Sequence, residues 1–269
     1  MCWDSMKKIL CALICLLLIS EYAIAVPAAS EGFVSRPVQA APNAKSIELA
    51  FVFDGPSDKN EEVLKIFQKT IARSLLPDYK AVFSKDLIFT GDWTSEGAIK
   101  ASDKAMSSRA RMVISLGYLS SIYYSGKTNK NKYVVTIDQY GLRDFGDKFF
   151  NPMQQTVNDF IAFKKLVPNI QKTAILMNEN YYKTNKYWAS GIYKKLQEAG
   201  YSSDFVVIPV NSNLESSLAK IPDDIDSVFV TPLFNITTEQ RKELYNEINL
   251  RHLPSFSSVG REDVDLGAM

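Results

Sequence analysis

The chain has 269 residues, with 31 Lys and Arg against 30 Asp and Glu, and a formal net charge of +1. This balance excludes the basic excess that is typical of nucleic-acid-binding domains, so no nucleic-acid partner is expected. Hydrophobic residues make up 46% of the chain and charged residues 23%, which is enough apolar material for a packed core and predicts an ordered protein.

The N-terminus has the pattern of a secretory signal. A pair of lysines precedes an apolar run at 9–19, and residues 23–25 have the small-x-small pattern after which signal peptidase cuts. The run is shorter than the about 20 apolar residues that a membrane-spanning helix needs. We therefore expect a cleaved signal peptide at 1–25 and a periplasmic or otherwise extracytoplasmic protein. The alternative is an N-terminal membrane anchor that is not cut.

Several kinds of catalytic chemistry are missing from the mature chain. All three cysteines lie in the predicted leader, at Cys2, Cys11 and Cys15, so disulfides, thiol nucleophiles and Cys-zinc sites are excluded. The only histidine, His252, sits near the end of a predicted helix, a position that the helix dipole favours. No phosphate-binding loop, dinucleotide fingerprint or zinc-protease motif is present. We expect no enzyme activity, no cofactor and no metal.

From residue 46 onward, short apolar runs alternate with amphipathic stretches. Several runs are continuous and rich in Val, Ile and Phe, which is typical of parallel strands that are buried on both faces. The predicted strands are 47–53, 87–89, 112–116, 133–137, 173–177, 205–210, 227–230 and 255–259. The stretches between them predict helices, so the pattern indicates an α/β fold with right-handed crossovers. Residues 26–45, rich in Ala, Pro and Ser, predict a flexible tether.

Capping residues mark three of the predicted helix starts. Asn60 precedes two glutamates and is expected to cap a helix through its side chain. Ser212 with Glu215, and Thr237 with Gln240, have the spacing of a capping box. These positions predict where three of the helices begin.

The alternation of strands and helices breaks at 138–155, a segment rich in Gly, Pro and Phe. Four predicted strands precede the segment and four follow it. The break therefore predicts two α/β lobes, at 46–140 and 141–269, with a hinge and a cleft between them.

Candidate ligand residues follow the predicted strands, because ligands of open parallel sheets bind beyond the carboxyl ends of the strands. These loops are rich in small hydroxyls, amides, glycines and aromatic residues, a mixture that suits reversible binding of a small polar molecule. Asp138 is the expected partner of a ligand ammonium group. We expect the first lobe to contribute Gly55, Ser57, Gly117, Tyr118 and Asp138, and the second lobe to contribute Asn178, Asn180, Tyr181, Thr231 and Phe234.

Four segments of the chain resemble the ABC-transporter substrate-binding proteins of the type I periplasmic-binding-protein fold, in the branch described as an uncharacterized transport component. They are the strand at 47–53 with its Asp-Gly-Pro turn, the strand at 110–117, the Leu-to-Asn stretch at 166–178 that contains Pro168, and the ending at 260–268. The chain departs from the family at Tyr118, where the family has Ser or Thr after its glycine.

The resemblance implies two three-layer, Rossmann-like α/β lobes with parallel sheets joined by a hinge. It implies a monomer that captures an amino-acid-like solute by hinge closure, and an ABC permease in the inner membrane as its partner. Members of the family continue past the Gly-Ala at 267–268, so the sequence is expected to be C-terminally truncated. Two alternatives are a sensing or efflux-associated envelope protein of the same fold and an exported enzyme that works through carboxylates.

Overall fold

The computed structural model describes residues 41–125, 132–136, 152–184, 187–201 and 204–268, without the side chains of 125, 152–155 and 187–189. The predicted leader, most of the predicted tether and Asp138 lie outside the described residues. So does most of the predicted boundary segment.

The first lobe is a four-stranded parallel sheet with its connecting helices. β1 lies at the centre, between β2 and β3, and the strand order is β2-β1-β3-β4. In chain order the elements are β1 Lys45–Phe53, α1 Asn60–Leu75, β2 Tyr79–Thr90, α2 Ser95–Ser107, β3 Met112–Ser115, α3 Tyr118–Ser125 and β4 Tyr133–Thr136.

The second lobe repeats this arrangement, with all strands parallel and in the order β6-β5-β7-β8. Its elements are α4 Pro152–Leu166, β5 Lys172–Asn178, α5 Glu179–Thr184, α6 Tyr187–Glu198, β6 Asp204–Val210, α7 Leu214–Leu218, β7 Ser227–Val230, α8 Thr238–Leu250, β8 Ser255–Ser257 and α9 Arg261–Asp265. Two separate sheets with the same strand order confirm the predicted fold class.

The burial of the strands explains why apolar runs in the sequence predicted most of them. Every residue of β3 and of β7 is buried, and so are the last five residues of β1. β2 is much longer than the predicted 87–89, and among the described strands it is an edge strand that pairs with β1. Leu87 is its only buried residue, so most of this strand leaves no apolar run in the sequence.

Two of the three capping predictions were wrong. Asn60 is the first residue of α1, and its side-chain amide donates to the carbonyl of Gly55 at 2.9 Å. Asn213, not Ser212, caps α7, by accepting from the backbone N–H of Ser216 at 3.0 Å. The predicted capping box at the start of α8, between Thr237 and Gln240, is confirmed.

Apolar side chains cover both faces of each sheet, and one of these clusters crosses from lobe to lobe. It joins Ala98, Tyr118 and Leu119 of the first lobe to Tyr181 and Phe229 of the second, among other residues. The strand ends of the two lobes therefore meet in a partly apolar contact.

Candidate functional site

The loop between β1 and α1, residues 54–59, belongs to the first lobe and contacts the second lobe at both of its ends. Its carbonyl groups are held from within the first lobe: Asn60 Nδ2 donates to Gly55 O, and Trp93 Nε1 donates to Pro56 O, both at 2.9 Å. The backbone N–H of Trp93 donates in turn to Asp54 O at 2.8 Å. Hydrogen bonds within the first lobe therefore hold this loop in place, independently of its contacts with the second lobe.

Asp54, the first residue of this loop, is a buried carboxylate at the start of α3. Its Oδ2 accepts from the backbone N–H of Leu119 at 2.7 Å, and its Oδ1 accepts from that of Ser120 at 2.9 Å. N–H groups in the first turn of a helix have no acceptor within the helix itself, and negative charge is favoured at this end of a helix. Burial nevertheless raises the pKa of Asp54, against the opposing effect of these hydrogen bonds.

The two predicted glycines make close approaches possible. A Cβ on Gly117 would lie 2.0 Å from Asp54 Oδ1, and a Cβ on Gly55 would lie 2.4 Å from the indole ring of Trp93. Only hydrogen fits at either position without displacing a neighbour. Both residues therefore shape the floor of the site, whatever else they contact.

Tyr181 of the second lobe reaches into the first. Its hydroxyl donates to Asp54 Oδ2 at 3.1 Å. Its ring lies edge-on to Tyr118 and to Trp93, with centroid distances of 5.2 Å and 6.4 Å. Tyr181 is buried, as is Tyr118. The structure thus brings two predicted residues, Tyr118 and Tyr181, into contact.

Asp54 and Trp93 are the site residues that sequence reasoning did not select. Asp54 directly follows a buried strand, which was an available signal. Trp93 ends the loop after β2, and its backbone has a φ of 66° that no sequence pattern indicates. The partnership of Asp54 with Tyr181 joins positions 127 residues apart in the chain.

A second polar contact lies at the other end of the same loop. Thr238, at the start of α8, donates its hydroxyl to Asp58 at 2.5 Å, and Lys59 pairs with Glu262 at 3.2 Å. Glu262 also accepts from the buried Arg241 at 2.6 Å. The hydrogen bond from Thr238 lowers the pKa of Asp58, opposed by slight burial and assisted by the charge of Arg241.

Residues 55–57 lie between the two contacts along the chain, and β5 and β7 of the second lobe are neighbours in their sheet. Asn178 ends β5 and is 2% exposed. Its Oδ1 accepts from the backbone N–H groups of Asn180 and Tyr181, at 2.9 and 3.2 Å, and so caps α5. Within the described part of the chain, Asn178 Nδ2 makes no hydrogen bond.

The remaining predicted residues have different surroundings. Thr231 is buried and donates its hydroxyl to Leu176 O of its own lobe at 2.9 Å. Ser57 and Phe234 are half-buried in the loops after β1 and β7, and Asn180 is half-buried in the first turn of α5. Asp138 lies outside the described residues.

Two features are absent from the described residues. None of their helices combines the length and apolar character that a membrane crossing needs. No group of three or more His, Cys, Asp or Glu side chains among them is arranged to hold a metal ion.

No protein-family model matches the chain, and no curated protein matches it. Solved structures do. The ABC domain in complex with L-Trp from Streptococcus pneumoniae is 14% identical, with 84% of this chain and 78% of that chain covered and a TM-score of 0.60. A conserved domain protein from Vibrio cholerae O1 biovar El Tor has the same identity and coverage and a TM-score of 0.56.

A third structure, an ABC sugar transporter (periplasmic sugar binding protein) from Legionella pneumophila, is 13% identical. The match covers 82% of this chain and 84% of that chain, with a TM-score of 0.55. At such identities the likeness establishes a common fold. The chain therefore has the type I fold of periplasmic solute-binding proteins, which confirms at the level of the fold the resemblance seen in its sequence.

Proposed function

We propose that the protein is an exported solute-binding protein. It captures a small, amino-acid-like molecule in the cleft between its lobes, without chemical change, and delivers it as a monomer to an ABC permease in the inner membrane. The observation that carries the proposal is the meeting of the two lobes through loops at the carboxyl ends of parallel strands, where ligands of such sheets bind. The common fold of the solute-binding proteins described above supports it.

We assign the ligand contacts to residues of these loops. The strongest is Asn178, because its Nδ2 is a donor without a partner among the described residues. Ser57, Asn180 and Phe234 are half-buried, and we assign polar and aromatic contacts with the ligand to them. Gly55, Gly117, Tyr118, Tyr181 and Thr231 form the surrounding walls, and Asp138 is assigned to a ligand ammonium group.

We further propose that the lobes divide between residues 140 and 141 and that the segment 138–155 is the hinge. Closure about this hinge brings together the contacts that cross the boundary at the far end of the loop, between Asp58 and Thr238 and between Lys59 and Glu262. A solute bound by both lobes stabilises the closed form, because it binds that form better than the open one.

A ligand screen tests the proposed function. The protein without residues 1–25 is heated in the presence of amino acids, short peptides, nucleosides and sugars, and each stabilising compound is measured by calorimetry. A ligand at 100 times its Kd adds about 2.7 kcal/mol of stability. Mass spectrometry of the recovered compound follows. A chemically altered compound, or no stabilising compound in any class, would contradict the proposal.

The variant Asn178→Asp tests the assigned contact. It keeps the oxygen that caps α5 but replaces the amide donor with an acceptor, so the fold should persist while ligand affinity falls at least about tenfold. Asn246→Asp, on the exposed side of α8, is the matched control and should bind like the wild type. Equal affinity of all three proteins would remove Asn178 from the site.

A further inference from the structure

Three first-lobe residues, Asp54, Trp93 and Tyr118, surround the ring of Tyr181. The carboxylate of Asp54 receives the hydroxyl at 3.1 Å. The two aromatic rings stand at about 60° to the ring of Tyr181, with centroids 5.2 and 6.4 Å away, an edge-to-face arrangement that aromatic pairs favour. We call these three residues the phenol subsite.

The phenol subsite is held in shape by contacts within the first lobe. Leu119 and Ser120 fix both oxygens of Asp54 through their backbone N–H groups. Trp93 is tied to the loop 54–59 through Nε1 and its backbone N–H, and its indole ring lies against Gly55. None of these contacts involves Tyr181. The subsite is therefore preorganised for an aromatic ring that carries a hydrogen-bond donor.

The occupant comes from the other lobe. Tyr181 lies in α5, the one-and-a-half-turn helix that Asn178 caps directly after β5. Its position in the subsite therefore depends on the meeting of the two lobes. An intramolecular group of this kind competes with any free molecule of the same chemistry, because it is present at a high effective concentration.

We propose that Tyr181 is an internal ligand of the phenol subsite, and that a solute with a hydroxyl-bearing aromatic ring competes with it for Asp54. The assignment rests on the proposed function, since it names the chemical class of the solute. Asp54 and Trp93 are its ligand-binding residues, and Tyr181 is the side chain that leaves when the solute binds.

Removal of the Tyr181 ring tests the assignment with p-cresol, the side chain of tyrosine as a free molecule, and with toluene, which has the same ring without the hydroxyl. The Tyr181→Ala protein should be stabilised by p-cresol and should bind it about tenfold more tightly than toluene, because only p-cresol donates to the carboxylate. The wild type should bind p-cresol more weakly than Tyr181→Ala. Tyr193→Ala, which truncates a more exposed tyrosine of the same lobe, should gain no binding.

Equal affinity of Tyr181→Ala for p-cresol and toluene, or no stabilisation by p-cresol, would overturn the proposal. The wild type provides a second readout if Tyr181→Ala does not fold. Titration with p-cresol should move the backbone amide resonances of Leu119 and Ser120, which donate to Asp54, and toluene should leave them in place. Unmoved resonances at saturating p-cresol would also overturn it.

These outcomes separate the subsite from the function. If p-cresol binds as expected but the ligand screen yields no solute, the proposed function fails and the subsite stands. If the screen yields a solute that leaves the amide resonances of Leu119 and Ser120 unchanged, the proposed function stands and the phenol subsite is not part of it.

Discussion

Lys59 of the first lobe and Glu262 of the second form an ion pair across the lobe boundary, with 3.2 Å between Nζ and Oε1. The pair lies beside the hydrogen bond from Thr238 to Asp58, so two polar contacts join the lobes at this end of the loop 54–59. Both side chains of the ion pair are partly exposed, which limits its strength to about 0.2–1 kcal/mol.

The variant Lys59→Gln should therefore loosen the lobes with little loss of stability. Spin labels at Lys69 in α1 and Lys242 in α8 are introduced as cysteines into the protein without residues 1–25, which has no cysteine of its own. They should show a broader distance distribution in the variant. Lys65→Gln is the control, because Lys65 pairs with Glu61 of the same helix. A distribution that broadens equally in both variants would argue against a role for the interlobe pair.

Arg241 should be essential to the stability of the second lobe. It is 3% exposed and pairs with the buried Asp263 at 3.0 Å, which also accepts from Tyr245 and Ser257. Arg241→Leu leaves this carboxylate buried without its cation, which costs about 3–5 kcal/mol. Urea denaturation measures the loss.

The control for Arg241 is Arg251→Gln, which removes a more exposed ion pair with Glu247 at the C-terminal end of α8. This change should cost at most about 0.5 kcal/mol. Similar midpoints for the two variants would show that the buried network contributes no more than a surface ion pair.

Gly117→Ala should destabilise the first lobe through its contact with Asp54. The added methyl group would overlap the carboxylate, and overpacking of this kind costs about 1–3 kcal/mol. A double-mutant cycle with Asp54→Ala isolates the clash, because the substitution at 117 should become less costly when the carboxylate is gone. Additive losses in the cycle would place the origin of the effect elsewhere.

The pH dependence of stability should reveal the raised pKa of Asp54. Its pKa is raised by burial above the ordinary 3.8, so the folded protein binds a proton more readily than the unfolded chain. Protonation therefore favours the folded state, and this contribution is complete below the unfolded pKa and disappears as the pH rises through the folded pKa.

Other carboxylates titrate in the same range, among them Asp58, whose lowered pKa acts in the opposite direction. These other carboxylates contribute equally to the wild type and to Asp54→Asn, so their contribution cancels in the difference between the two unfolding free energies. This difference should favour the wild type most at low pH and shrink as the pH rises from 3.8 upward. A difference that is constant with pH would mean that Asp54 has an unshifted pKa.

The sequence by itself determined the two-sheet α/β fold. Strands such as Met112–Ser115 and Ser227–Val230 are buried on both faces, so the sequence has a continuous apolar run at each of them. The capping box of Thr237 and Gln240 was predictable for a similar reason, since both partners lie within one turn of the same helix. β2 was foreseen only at its end, because an edge strand needs few apolar residues.

Tertiary structure alone decided the chemistry of the cleft. Nothing near Asp54 in the chain indicates that the N–H groups of Leu119 and Ser120 and the hydroxyl of Tyr181 converge on its carboxylate. The order of strands in each sheet, and the way the two sheets face each other, bring these distant groups together. Asn60 follows the same rule, because the carbonyl of Gly55 draws its amide away from the cap that local sequence predicts. The local hydrophobic pattern predicts which residues are buried, whereas the hydrogen-bond partners depend on contacts between segments that are far apart in the chain.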